Sequence, residues 1–135
     1  MIEFSWPFSQ GEWFAWGFAV FTILYGFVGF VFPRFILRHF GPAFGGNETG
    51  ERNNAGVSEI RASSGGMRTG FAIAAILLAQ PLIYLALGFA LAFSVLGRLV
   101  SFIFSKAFNV KSLILAIIEG LGAFFMIGYG MMLIP

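Results

Sequence analysis

Four stretches of about twenty predominantly apolar residues, at about 12–32, 58–79, 82–104 and 112–133, leave this chain little choice of solvent. A helix needs roughly 20 such residues to cross the hydrocarbon core of a bilayer, and connections at 33–57, 80–81 and 105–111 separate the four. Only 10% of the 135 residues are charged and 59% are hydrophobic, whereas a soluble domain carries about 25% charged residues. The expectation is an all-α membrane protein: an antiparallel four-helix transmembrane bundle, one domain over residues 1–135, with a cytoplasmic loop at 33–57.

The punctuation between the stretches supports this division. Pro33 follows the first, Gln80-Pro81 makes a very short turn between the second and third, and 105–111 links the third to the fourth. Residues 1–10 hold no Lys or Arg, and a secretory signal peptide wants a positive n-region, so the first helix is expected to remain uncleaved. Trp6, Trp13 and Trp16 gather where that helix begins, as rings at the headgroup level do, and are read as an interfacial belt rather than a stacking box for a ligand. After Pro33, the segment PRFILRHF sets Arg34 and Arg38 four apart among apolar residues, the pattern of a short helix lying in the interface. His39 is read as a residue of that surface, not as a ligand for metal or haem. Residues 41–57 are rich in Gly and Asn and form a loop. Its glycines follow no strand, so no phosphate-binding loop is implied. Asn47-Glu48-Thr49 fits the glycosylation pattern, but a cytoplasmic loop would not be modified.

Charge sets the orientation. Arg34, Arg38, Arg52, Arg61 and Arg68 lie in or beside the first connection, and Arg98, Lys106 and Lys111 in or beside the third. All eight positive residues thus fall on one side, which the positive-inside rule assigns to the cytoplasm. Both termini then face the periplasm of a bacterial inner membrane. A net charge of +2 makes no patch for nucleic acid, and the absence of Cys excludes disulfides and thiolate chemistry.

The segment 58–74 concentrates the remaining information. Ser58, Ala62, Gly66, Gly70 and Ala74 recur every fourth position, the small-xxx-small pattern that lets helix backbones approach closely, so helix two is expected to pack through Ala62, Gly66, Gly70 and Ala74. Ser58 suits an N-cap and Glu59 the positive end of the helix dipole. At about 1.5 Å per residue, Arg68, Arg98 and Glu119 come to similar depths from three helices. Ionisable groups at such depth turn inward and pair. Glu59, Arg61, Arg68, Arg98 and Glu119 are therefore candidates for a buried charge network or an anion-binding site, with Glu119 against Arg98, Arg68 or both. Ser94, Arg98, Ser101 and Ser105 form a polar stripe on the third span.

Other chemistry finds no support. A single His allows no Ser-His-Asp grouping, and no metal-ligand spacing is present, so neither enzyme activity nor a metal is expected. Nineteen Phe residues suit a lipid-facing exterior, or an aromatic wall toward a partner subunit, a bound lipid, a quinone or a pigment; no resident cofactor is implied. The role expected is a non-catalytic accessory or assembly subunit of a larger membrane complex or homo-oligomer, with membrane lipids and other membrane subunits or itself as partners. The alternative is a small transporter or a lipid- or small-anion-binding protein that uses the Arg/Glu cluster.

Three short motifs in order, Glu59-Ile60-Arg61-Ala62 with Gly65-Gly66 and Gly70, then Gly97-Arg98 with Ser101, then Glu119-Gly120, resemble the small four-span bacterial membrane proteins grouped as a domain of unknown function. The resemblance covers roughly 33–135 and implies a four-helix inner-membrane fold. It implies no activity. The Trp-rich start and the density of Phe depart from that family's pattern and suggest a specialised partner.

Overall fold

A computed structural model describes residues 5–40, 57–104 and 109–134, with the side chains of 37–40 set aside. The described residues form α1 (Gln10–Val31), α2 (Pro33–Phe40), α3 (57–78), α4 (Pro81–Phe104) and α5 (Val110–Gly130). Three of these, α1, α4 and α5, are long and apolar enough to cross a membrane. α3 is composite: a π-helical stretch, Ile60–Met67, runs into a regular stretch, Arg68–Leu78. The loop at 41–56, with Arg52 and Asn47-Glu48-Thr49, lies outside the described residues, as do Ser105 and Lys106.

Local chemistry sets the helix ends. Ser9 caps α1 by accepting the Glu12 N–H on its Oγ at 3.2 Å, and the Glu12 carboxylate reaches back to the Phe8 N–H at 2.9 Å. This reciprocal capping starts the helix at Gln10, ahead of where apolarity alone would begin it. Pro33 opens α2 as its first residue, where a missing N–H costs nothing. Ala79 adopts a left-handed φ of 47° at the end of α3, which turns the chain into Pro81, the first residue of α4. α5 ends at Gly130, short of the apolar limit at 133. Met132 takes a φ of 57°, and the N–H groups of Leu133 and Met132 donate to Gly128 and Tyr129 oxygens at 2.8 and 2.9 Å. This Schellman closure stops a helix that hydropathy would have continued.

α1 lies between α3 and α5, and α4 packs mainly on α5. Each of these pairs runs antiparallel. Gly26 of α1 meets Thr69 and Gly29 meets Gly65; Phe14 and Phe18 stack on Phe125 of α5; Gly88 of α4 meets Met126 and Ile127. The core joins Ala15, Ala19, Ala72, Ala75 and Ala123 to Tyr84, Leu87, Leu91 and Met126. Alanines bring the helix axes close, and the larger residues fill what remains between α4 and α5. α2 folds back against α1, α3 and α5, with Ile36 buried and Phe35 exposed.

The seam between α1 and α3 corrects the expected register. A Cβ on Gly65 would stand 2.7 Å from the Phe30 nitrogen, so the two backbones touch there, and Thr69, Ala72 and Ala75 continue the contact. Ala62 and Gly70 of the anticipated stripe are exposed, Gly66 and Ala74 are half-buried, and Ser58 is exposed. The reason is angular. A strict four-residue repeat drifts about 40° per step in one direction around an α-helix, while the mixed steps of four and three through 65, 69, 72 and 75 drift in opposite directions and keep these residues toward α1.

Candidate functional site: a buried arginine–glutamate network

On α5 the buried face reads Leu115, Ala116, Glu119, Gly122, Ala123 and Met126. Glu119 thus occupies a core position, where a carboxylate must find partners. α3 and α4 supply them. Arg68, at the junction of π- and α-helical backbone, donates from Nη1 to Glu119 Oε1 at 2.5 Å and from Nη2 to Ser94 Oγ at 2.8 Å. Arg98, one turn beyond Ser94, donates from Nε to Oε2 at 3.2 Å and from Nη2 to Oε1 at 3.3 Å. Ser94 Oγ also donates to Oε2, at 3.0 Å. One carboxylate therefore accepts four hydrogen bonds, two of them the side-on fork of a single guanidinium.

The network reaches further on both flanks. The Tyr25 ring of α1 lies 5.9 Å from the Arg68 guanidinium carbon, close enough for a cation–π contact. Arg98 Nη1 extends to Ser112 Oγ at 3.4 Å, in the first turn of α5. The carboxylate lies deepest: the Glu119 side chain is 4% exposed, those of Arg68 and Arg98 20% each. A pocket beside the network, lined by Thr22, Tyr25, Arg68 and Glu119 with Phe18 and Leu91, offers about 10 Å³ to the centre of a water molecule. That is room for about one water.

Of the five anticipated network residues, the structure brings together Arg68, Arg98 and Glu119. Glu59 and Arg61 do not join: both are exposed at the start of α3, where the Glu59 carbonyl accepts from Ser63 Oγ. An exposed charge needs no buried partner. Ser101 bonds back to the Gly97 carbonyl and stays outside the network. Trp6, Trp13 and Trp16 pack on one another with ring centroids 5.8–6.5 Å apart, Trp6 and Trp13 largely exposed. Among the described residues, no three His, Cys, Asp or Glu side chains come together.

One buried carboxylate escaped the sequence reading. Glu12 is 8% exposed and lies beside Tyr129 of α5, which meets Tyr84 of α4 edge-on at 5.6 Å. The signal was the Ser9-x-x-Glu12 spacing, a capping box that also fixes where the side chain points. Between this cluster and Glu119 the α1–α5 interface is apolar, held by Ala15, Ala19, Ala123 and Met126, of which the least buried is 4% exposed.

Comparison with protein-family models, curated proteins and solved structures finds no match. The family resemblance therefore rests on its three short motifs alone.

Proposed function

We propose that this chain is a small non-catalytic membrane protein that crosses the bacterial inner membrane four times and acts as an accessory or assembly subunit, within a larger membrane complex or a homo-oligomer. The observation that carries the reading is the saturation of Glu119. A carboxylate with four hydrogen bonds and space for about one water beside it behaves as a fastener between helices. A transport site needs an open route, and the apolar layer between Glu119 and Glu12 argues against one.

The fourth crossing is assigned to α3, whose 57–78 segment is roughly 30 Å long and lies antiparallel to α1. Its Arg61 and Arg68, the charged α2, and the Arg98 and Lys111 ends of α4 and α5 fall at one end of the molecule, favouring a cytoplasmic assignment for that end and periplasmic termini. Association is supported by glycines that serve no close contact among the described residues. A Cβ on Gly17, Gly70 or Gly97 would meet nothing within 4 Å, which leaves smooth helix surface for the close approach of another helix.

Extraction of the tagged protein in a mild detergent, followed by mass measurement of the intact particle, tests this. The expected particle contains further subunits or further copies of the chain. A solitary monomer contradicts the proposal.

A further inference from the structure

The network joins two guanidinium groups to one carboxylate, and the carboxylate lies beneath them. What faces outward is therefore cationic. An uncompensated charge below the headgroup layer is costly and is met by a paired group of opposite sign. We infer that the outward side of Arg98 binds the phosphate of an anionic phospholipid.

Three features select this ligand. Arg98 reaches from Glu119 to Ser112 in the first turn of α5, so its guanidinium stands near the helix end, within reach of a headgroup. Lys111, exposed beside Ser112, adds a second positive charge, and Arg98, whose Nε–Nη2 edge is held by Glu119, still carries more N–H groups than that edge uses. The surroundings decide the source. Leu99, Ile103, Val110 and Ile114 are all at least 43% exposed around this point, giving acyl chains an apolar surface on which a free phosphate would gain nothing. The inference rests on the membrane-spanning reading and is independent of the accessory role.

The test uses the full chain reconstituted in vesicles of equal parts phosphatidylglycerol and phosphatidylcholine, then released into detergent and weighed with its retained lipids by native mass spectrometry. Wild type retains phosphatidylglycerol in preference to phosphatidylcholine. Arg98→Gln lowers that preference on the order of tenfold, the loss of one charge-assisted hydrogen bond. Lys111→Gln, at an exposed position that does not endanger folding, lowers it severalfold. Added inorganic phosphate displaces no lipid. Equal retention of the two lipids by wild type, an unchanged preference in Lys111→Gln, or displacement by inorganic phosphate would each overturn the inference. Failure of the membrane reading would look different: the protein would stay in solution without detergent.

Discussion

Glu12 and Glu119 are both buried, on helices that pack against each other, yet their oxygens find hydrogen-bond donors by different means. Glu12 accepts from a backbone N–H four residues away and serves the cap of its own helix, with the side chain of Tyr129 reaching it from α5. Glu119 takes its partners from 51, 25 and 21 residues away, on two other helices. The first carboxylate sets where one element begins. The second sets which elements are neighbours and in what register. Losing the first should loosen an end; losing the second should strand two guanidinium groups in the interior.

The size of that difference can be measured. Glu119→Ala should destabilise the protein by about 3–5 kcal/mol, the range for removing one partner of a buried ion pair, read from denaturation by a harsh detergent titrated into a mild one. Gly65→Ala acts on the same network indirectly, because the seam it occupies holds Arg68 in place. A Cβ there meets α1 backbone, which cannot rotate away, and the expected loss is about 1–3 kcal/mol. Ser9→Ala removes only a cap and should cost about 1 kcal/mol, with helical content lost at the start of α1 in hydrogen exchange. Gly70→Ala lies on the outward face with nothing near its Cβ; for the isolated chain it should be neutral or slightly stabilising by helix propensity. If Gly70→Ala instead shifts the mass of the native particle downward, that face is where another helix sits.

The contrast also explains what could be read in advance. Helices were legible because apolar runs of spanning length and their proline breaks are local facts, and the meeting of Arg68, Arg98 and Glu119 was legible because matching depths left few other partners. The rotation of α3 was not. Its segment offers two sets of small residues, one through Gly66 and Gly70 and one through Gly65, Ala72 and Ala75, and only contact with Gly26 and Gly29 of α1 selects between them. The π-helical backbone at Ile60–Met67 has no signature in composition or spacing. The end of α5 was missed for a related reason: Met131, Met132 and Leu133 are as apolar as the helix before them, and the closure depends on a backbone conformation that Met132 rarely adopts. Glu12 was visible as a charge but its burial depended on Tyr129, far along the chain.

A double-mutant cycle between Arg68 and Glu119, using Arg68→Met, Glu119→Met and the pair, tests most directly whether this ion pair joins α3 to α5. Coupling of about 1.5 kcal/mol or more between positions 51 residues apart is the predicted result. Losses that simply add, within about 0.5 kcal/mol, would mean that the two side chains act separately and that the helices are held in order by something else.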